Sequence, residues 1–503
     1  MSSNYYITTP IYYVNDVPHI GHAYTTLACD VIARFKRLDG FNVFFLTGTD
    51  EHGQKVELAA KKKGVMPKDF VDEVSQNFRN LLKCMNFSND DFIRTTEKRH
   101  LDSCQQIWEK LLENGSIYLD KYSGWYSVRD EAFYSDTEIV DGMAPSGAPV
   151  EWVEEPSYFF NLSKWEDKLL KFYEENKNFI LPNSRRNEVI SFVKGGLKDL
   201  SVSRTSFTWG VKVPNNDDHI MYVWLDALTN YLSACNYSSQ ENESLSKFWP
   251  ADIHMVGKDI IRFHAVYWPA FLMAANLPLP KKIFAHGWWT NEGNKISKSL
   301  GNVIDPFVLV DKYGVDQIRY FLMREVPFGN DGDFSNSQLI NRINSDLANS
   351  YGNLFQRVIS MIFKNCDEII PIRPNHFQDE DLKLINSIRN SIQNYRSLID
   401  EQKFDQFLKN IWLVISDANK YVDEQAPWSL KKNNFKRMEI VLYTLIETIR
   451  QISIMLQPFI PKTSKHVLDH LQIPLDQREI KSIELSFDGG IKISTPKPLF
   501  PRI

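Results

Sequence analysis

The chain has 503 residues, several times the length of an average domain, so more than one hydrophobic core is expected. Hydrophobic residues make up 43% and charged residues 24%, which excludes a mainly disordered protein, and the apolar runs are too short to span a membrane. A net charge of −5 gives no overall basic surface, although residues 431–503 carry 12 Lys and Arg against 7 Asp and Glu. The five cysteines are widely spaced, and the polar start resembles no export signal, so we expect a reduced, cytoplasmic protein without a membrane partner.

The first fifty residues predict a β-α-β unit. The run from Tyr5 to Thr9 is rich in residues that favour strands, and Pro10 ends it. A helix is expected from His19 to Leu38, followed by Gly40 and a buried strand over 41–46. Units of this kind build open parallel sheets with helices on both faces.

Later segments predict three further regions. Strand-like runs at 253–256 and 283–284, separated by a helical stretch at 259–275, resume the parallel sheet. Between the two parts of the sheet, short aromatic segments and turn residues predict an inserted α+β domain. After Asp333 the apolar residues recur at helical spacing, which predicts an all-α bundle. The expected division is 1–115, 116–221, 222–332 and 333–503.

The segment His19-Ile20-Gly21-His22 lies between the first strand and the first helix. Ligands of parallel sheets bind where strands end and helices begin, and helix N-termini attract phosphate. Gly21 would let a nucleotide approach the backbone, and the two imidazoles can donate hydrogen bonds to phosphate oxygens. The alternative is that one histidine caps the helix and the other lies on its surface.

A second segment, residues 288–301, is a Gly- and Asn-containing loop with paired lysines and serines. Lys295 and Lys298 could stabilise negative charge on a phosphate group during its transfer. Alone, such a loop could equally be a solvated turn. Together with the histidine segment upstream, it indicates a site for a nucleoside triphosphate.

The two segments resemble the HIGH and KMSKS signatures of class I aminoacyl-tRNA synthetases, with Ile296 in place of the second signature's methionine. The resemblance implies a Rossmann-type catalytic domain that uses ATP with Mg²⁺ to activate an amino acid and transfers it to tRNA. It implies catalytic roles for His19, His22, Lys295 and Lys298. The ATP-binding residues it implies are His19, Gly21, His22, Lys258, Asp259, Lys295, Ser297, Lys298 and Ser299.

Residues 9–15, 222–231 and 256–270 resemble the methionyl-tRNA synthetase family in particular. Their apolar and aromatic side chains suit a flexible, polarisable thioether, although such a collection could also be ordinary core. Asp50 would pair with the substrate ammonium group, or cap a helix instead. The methionine-binding residues expected by resemblance are Ile11, Tyr13, Asp50, Trp224, Ala227, Leu228, Tyr231, Ile260, His264 and Trp268.

The helical last third resembles the anticodon-binding bundle of the same family. The resemblance gives base-contacting roles to Asn353, Arg357 and Trp428, since an amide, a guanidinium and an indole can bond and stack unstacked bases. Without the resemblance, Asn353 and Arg357 would be interpreted as an ordinary exposed helix face, and Trp428 as an ordinary packed corner. The expected partners are L-methionine and tRNA(Met), both initiator and elongator, and the expected state is a monomer.

The sequence departs from the family pattern at two places. Residues 125–158, where many relatives carry zinc-binding cysteines, contain no cysteine, so no structural zinc and no other bound metal site is expected. Leu228 stands where some relatives have proline. Three alternatives stay open: a class I synthetase for another amino acid, a non-catalytic tRNA-binding protein with a synthetase fold, and a nucleotidyltransferase that acts on a small metabolite.

Overall fold

The computed structural model describes residues 3–14, 17–129, 132–134, 136–238, 243–295 and 303–503. The first part of the chain forms β1 (Asn4–Thr8), β2 (Tyr12–Tyr13), α1 (Ile20–Leu38), β3 (Asn42–Asp50), α2 (Gln54–Lys63), α3 (Pro67–Cys84), β4 (Asp91–Arg94) and α4 (Lys98–Glu113). The predicted β-α-β unit is present as β1, α1 and β3. Strand β3 runs four residues beyond its predicted end, because Leu46 to Thr49 pair in parallel with β4.

The middle region contains β5 (Ile117–Ser127), β6 (Ala132–Tyr134), β7 (Glu151–Phe160), α5 (Glu166–Glu175), β8 (Ile180–Leu181), α6 (Asn183–Lys194), β9 (Leu200–Ser201), β10 (Ser203–Arg204), β11 (Lys212–Val213) and β12 (Asn216–Met221). Two small antiparallel sheets form here, in the orders β6-β5-β7-β9 and β10-β12-β11. Strand β8 lies inside the range expected for the insertion, yet it pairs with the central parallel sheet.

The chain then forms α7 (Val223–Ser233), α8 (Glu243–Phe248), β13 (Ile253–Gly257), α9 (Trp268–Ala274), β14 (Ile283–His286), β15 (Trp289–Asn291), β16 (Asn294–Lys295), α10 (Pro306–Tyr313), α11 (Val315–Arg324) and β17 (Gly332–Phe334). The predicted helix before residue 275 is interrupted. A 3₁₀ turn covers Lys258–Ile260 and a π-helical turn covers Phe263–Tyr267, so only its last part is regular α-helix.

The central sheet has seven parallel strands in the order β2-β3-β1-β13-β14-β8, with β4 also paired to β3. Because the strands are parallel, their carboxyl ends meet at one edge. Thr9, Asp50, Gly257 and His286, each at or just after the end of a strand, therefore come close together, and this edge positions the site described below.

The last third is helical, as predicted: α12 (Asn336–Arg342), a π-helical segment (Ile343–Gly352), α13 (Asn353–Asn365), α14 (Asp379–Arg389), α15 (Ile392–Asp400), α16 (Phe404–Gln425), α17 (Pro427–Asn433), α18 (Phe435–Leu456) and α19 (Pro461–His470). Its apolar faces continue into the core beneath the sheet, where the Phe35 and Phe407 rings lie 5.9 Å apart. The α/β core with a helical C-terminal region is confirmed. None of the helices in the described residues is long and apolar enough to cross a membrane.

A buried ion pair connects helices α1 and α11, and its arginine also reaches the bundle. Arg319 of α11 donates to Asp30 of α1 at 2.6 Å, and both side chains are fully buried. The same guanidinium donates to the carbonyls of Met85, Pro458 and Phe459. One side chain thus connects α1 with the turn between α18 and α19.

Candidate functional site

A cavity of about 470 Å³ opens at the carboxyl edge of the parallel sheet. Its walls come from the segments after β1, β3, β13 and β14 and from helices α1 and α7. The histidine segment at 19–22 and the three segments that resemble methionyl-tRNA synthetases, 9–15, 222–231 and 256–270, all contribute to the cavity wall. The fold thus brings these four segments together.

His19 and His22 form the start of α1. His19 is its N-cap, with its Nδ1 accepting the backbone N–H of Gly21 at 3.1 Å. The Nδ1 of His22 accepts the N–H of His19 at 3.0 Å, and the two rings lie 3.9 Å apart. Gly21 is needed here, since a Cβ would lie 2.9 Å from the His19 ring. The capping alternative is thus correct for His19, and both rings also line the cavity.

These contacts fix which nitrogen of each imidazole carries the proton. Both Nδ1 atoms accept backbone N–H groups, so in the neutral rings the proton is on Nε2. Burial lowers the pKa of His19, and it lowers the pKa of His22 well below its usual value, with His19 adding to the effect. Two neutral imidazoles at a helix N-terminus therefore offer Nε2–H donors for an anion.

Nine of the ten residues expected to bind methionine line this cavity. They are Ile11, Tyr13, Asp50, Trp224, Ala227, Leu228, Tyr231, Ile260 and His264. Trp268 does not line it: its side chain is fully buried behind the wall, with its ring 6.0 Å from that of Tyr231. Residues Phe263–Tyr267, directly before Trp268, form a π-helical turn.

Tyr231 and His264 form a fixed pair on the cavity wall. The Nδ1 of His264 contacts the carbonyl of Ile260 at 3.0 Å, and a carbonyl can only accept, so Nδ1 carries the proton. Nε2 of His264 therefore accepts from the Tyr231 hydroxyl, 2.7 Å away. Burial lowers the pKa of His264 to about 4, which keeps the ring neutral. Trp224 stacks on Phe263, with ring centroids 3.4 Å apart.

The remaining predicted ATP residues fall into three groups. Asp259 lines the cavity, and its Oδ1 accepts from the indole of Trp288 at 3.2 Å. Lys258 is not in the cavity wall, since its ammonium contacts Asp331 at 2.6 Å and lies 4.3 Å over the Trp288 ring. Ser297, Lys298 and Ser299 lie outside the described residues, as does the side chain of Lys295.

Sequence reasoning missed several lining residues. Thr25 of α1 and His286 at the end of β14 both line the cavity and contact each other at 2.7 Å. Trp288 and Lys55 also contribute. His286 had a usable signal, since it ends a strand of a parallel sheet, where polar residues usually face a ligand. The others gave none that distinguishes them from ordinary surface or core.

The residues expected to contact the anticodon lie together on the bundle. Asn353 and Arg357 are four apart on α13, so they share a helix face. The Arg357 guanidinium lies 6.0 Å from the Trp428 ring centroid and pairs with Asp423 at 2.7 Å. Trp428 is 48% exposed. An exposed indole beside a guanidinium can stack an unpaired base.

In the part of the chain that the structure describes, one group of side chains has donor atoms close enough for a metal: His100, Cys104 and Asp226. It lies on α4 and α7 behind the cavity and not in the inserted region. The described residues of that region bring no such group together.

Comparison with known proteins gives the family. The model of class I tRNA synthetases (M) matches residues 5–148 and 142–359, and the model of the anticodon-binding domain of methionyl tRNA ligase matches 373–503. A methionine-tRNA ligase of Rickettsia felis is 58% identical over 507 aligned residues, which cover 100% of this chain and 99% of that protein. One of Brucella suis is 52% identical, with 99% and 98% covered.

A solved structure agrees with these relatives. Mycobacterium tuberculosis methionyl-tRNA synthetase in complex with methionyl-adenylate superimposes with a TM-score of 0.96, at 48% identity, over 99% of this chain and 100% of that one. The same family is indicated by both family models, by the full-length relatives and by this structure. The chain belongs to the methionine-tRNA ligases, a family of class I aminoacyl-tRNA synthetases.

Proposed function

We propose that the cavity is where this ligase activates L-methionine with ATP, giving methionyl-adenylate and pyrophosphate, before the methionyl group passes to the terminal adenosine of tRNA(Met). The observation that carries the proposal is that His19, Gly21, His22 and Asp50 line the same cavity as the aromatic residues of α7. The residues predicted to bind the nucleotide and those predicted to bind methionine thus share one space, as an in-line reaction between the two substrates requires.

The methionine side chain would occupy the apolar end of the cavity. Trp224, Ala227 and Leu228 supply contact area that a flexible thioether can fill. The Tyr231 hydroxyl is held by its donation to His264, so its position does not depend on the ligand. The Asp50 carboxylate, only 6% exposed, would accept from the ammonium group and orient the reacting carboxylate.

The first step needs no covalent enzyme intermediate. The methionine carboxylate attacks the α-phosphorus, the bond to the pyrophosphate oxygen breaks, and negative charge moves to the leaving pyrophosphate. The Nε2–H groups of His19 and His22 would donate to phosphate oxygens during this transfer. Lys295 and Lys298 stay predicted to close over the pyrophosphate side. Mg²⁺ would enter on the phosphates of ATP, as this ion prefers.

In the second step the hydroxyl of the tRNA's terminal adenosine attacks the methionyl carbonyl, and AMP leaves. The bundle would hold the anticodon through Asn353, Arg357 and Trp428, with the exposed indole as a stacking surface. We further expect a cytoplasmic monomer without structural zinc that charges both initiator and elongator tRNA(Met).

The test is ATP–pyrophosphate exchange with Mg²⁺, without tRNA, for each proteinogenic amino acid in turn. Exchange with methionine alone would support the proposal. Exchange with another amino acid would refute the methionine assignment, and no exchange would favour a tRNA-binding protein that lacks the first step. The two cavity carboxylates form a matched pair: Asp50→Asn should mainly raise the methionine KM, and Asp259→Asn the ATP KM, each by about tenfold or more.

A further inference from the structure

Behind the cavity wall, one buried carboxylate is held by two histidines from different parts of the chain. Asp226 of α7 contacts Nδ1 of His52 at 2.7 Å and Nε2 of His100 at 2.7 Å. The three side chains are 1%, 6% and 0% exposed, in that order. We call these three residues the Asp226 cluster.

The charges of the Asp226 cluster define its hydrogen bonds. Burial opposes ionisation of Asp226, but the two histidines outweigh burial and hold its pKa below the usual value, so it is a carboxylate at neutral pH. A carboxylate only accepts, so both imidazoles donate to it. The other ring nitrogen of His100, Nδ1, lies 3.1 Å from the Ser233 hydroxyl. Each oxygen of Asp226 has a charge-assisted bond to a different histidine.

The distances are those of hydrogen bonds rather than of metal ligands. Cys104 lies near the cluster, with its Sγ 3.2 Å from Nε2 of His100. Two nitrogen or oxygen ligands of a tetrahedral zinc, each about 2.0 Å from the ion, lie about 3.3 Å apart. The His100 nitrogen and the Asp226 oxygen are closer, at 2.7 Å, and share a proton. The Asp226 cluster is therefore held together by hydrogen bonds.

On one side of the Asp226 cluster, helix α7 carries the apolar wall of the cavity. Trp224, Ala227, Leu228 and Tyr231 recur at helical spacing on the face of α7 that lines the cavity. Asp226 lies on the opposite face, packed toward α4, where His100 and Cys104 meet it. A shift of Asp226 would therefore carry the whole wall with it.

On the other side of the Asp226 cluster, the turn at the end of β3 carries the carboxylate expected to bind the ammonium group. Asp50, Glu51 and His52 are consecutive, and each side chain points to a different partner. Asp50 faces the cavity, while the fully buried Glu51 accepts from Arg94 and Thr96 at 2.7 and 2.6 Å. His52 reaches Asp226. The turn that presents Asp50 is thus fixed to its own sheet by Glu51 and to α7 by His52.

We propose that Asp226, through His52, is a positioning residue that sets the separation between the ammonium-binding Asp50 and the thioether-binding wall of α7. The inference deepens the proposed function and rests on it. Methionine must span both groups to present its carboxylate to ATP, so this separation decides how well methionine is bound. The proposed ATP contacts, at the start of α1 and at Asp259, lie on other segments of the cavity wall, so ATP binding should depend on this separation much less.

The test compares variants in methionine-dependent ATP–pyrophosphate exchange. Asp226→Asn removes the charge, and His52→Ala removes the donor; both should raise the methionine KM about tenfold or more, with the ATP KM within about twofold of wild type. His52→Asn keeps an amide N–H near the position of Nδ1 and should restore most of the affinity. The double variant Asp226→Asn/His52→Ala should be no worse than the more affected single variant.

Asp381→Asn is the matched control for lost stability. Asp381 is a fully buried carboxylate of the bundle, bonded to Arg437 and Tyr421, and it lies outside the activation site. It should lower the thermal midpoint and leave the methionine KM unchanged. The proposal is overturned if Asp226→Asn and His52→Ala behave like this control, or if the methionine and ATP KM values rise equally. Where Asp226→Asn does not fold, the comparison of His52→Ala with His52→Asn decides.

The wild-type protein separates this inference from the proposed function. If it exchanges with another amino acid, the methionine assignment fails. The KM of that amino acid in the same variants still tests the positioning role of the Asp226 cluster. If it exchanges with methionine and the variants bind methionine normally, only the positioning role of the Asp226 cluster is refuted.

Discussion

His19 combines two tasks in one imidazole that a single substitution can separate. Its Nδ1 caps α1, and its Nε2–H faces the cavity. His19→Asn keeps a good N-cap, because asparagine can accept the same backbone N–H, but it removes the second donor. We expect kcat of methionine-dependent exchange to fall by about 10²-fold, with unfolding changed by less than about 0.5 kcal/mol.

His19→Ala provides the comparison, since it removes the cap as well as the donor. It should lose the same activity and an additional ~1 kcal/mol of stability, measured by urea unfolding. Wild-type kcat in His19→Asn would show that the Nε2–H does not contact the reacting phosphates.

Single residues were predictable from the sequence where strand geometry alone decides their place. Asp50 and Gly21 follow parallel strands, and all such ends meet at one edge. Trp268, expected at the site by resemblance, is fully buried beside Tyr231 rather than in the cavity wall, and its role in binding methionine stays a prediction. The Asp226 cluster gave no sequence signal, since its members are far apart in the chain and meet only where α4 and the turn after β3 pack against α7.

The attachment of α1 to α11 and to the α18–α19 turn depends on Arg319, and that dependence can be measured. Arg319→Met removes four donated hydrogen bonds from a fully buried place and leaves Asp30 with Arg34 and Ser88 only. Asp30 then keeps only one of its two cations, and three backbone carbonyls lose their donor, so we expect a loss of about 3 kcal/mol in urea unfolding.

Asp30→Leu added to Arg319→Met should recover only part of that loss, because an apolar pair needs no compensating charge but Arg34 and Ser88 lose their acceptor. Burial opposes ionisation of Asp30, but Arg319 and Arg34 outweigh it and lower its pKa, which agrees with a paired carboxylate. A neutral effect of Arg319→Met would contradict the role of this arginine in connecting α1 with the α18–α19 turn.

Elements were predictable where local pattern and burial agree. Helix α1 has a polar start, a buried apolar face and a terminal glycine, and its bounds match the prediction closely. The end of β3 was missed because Thr47 and Thr49 are polar and give no apolar pattern, although both are buried and pair with β4. Strand β8 has two residues and exists through its register with β14, which no local pattern reveals.

For the whole molecule, buried histidines predict a stability that falls in mild acid. Burial lowers the pKa of His19, His22, His219, His254, His264, His286 and His470. Below about pH 6.5 the unfolded chain therefore binds more protons than the folded one, and each such group costs up to ~1.4 kcal/mol per pH unit. Carboxylates with lowered pKa, such as Asp226, add to the loss only at lower pH.

The urea midpoint should thus stay nearly constant above about pH 7 and fall steadily between about pH 6.5 and about pH 5. Intrinsic tryptophan fluorescence would follow the transition. A midpoint that is unchanged down to about pH 5 would mean that these histidines are protonated as readily in the folded protein as in the unfolded chain.

The arrangement of the whole chain predicts that tRNA binding and amino-acid activation can be impaired separately. Trp428 lies on the bundle beside Arg357, and no residue of the bundle lines the cavity within the described part of the chain. Trp428→Ala should raise the tRNA(Met) KM for aminoacylation by about tenfold or more, since stacking on one base contributes ~1–3 kcal/mol. Exchange without tRNA should be unchanged.

Leu413→Ala is the control for this last prediction. Leu413 is 64% exposed on α16, ten residues before the Asp423 that pairs with Arg357, which is about 15 Å along a helix. Its loss should affect neither activity, because an exposed side chain away from the base-contacting face has nothing to stack. Reduction of both activities by Trp428→Ala would mean that the bundle also shapes the activation site, and an unchanged tRNA KM would exclude Trp428 from the anticodon contact.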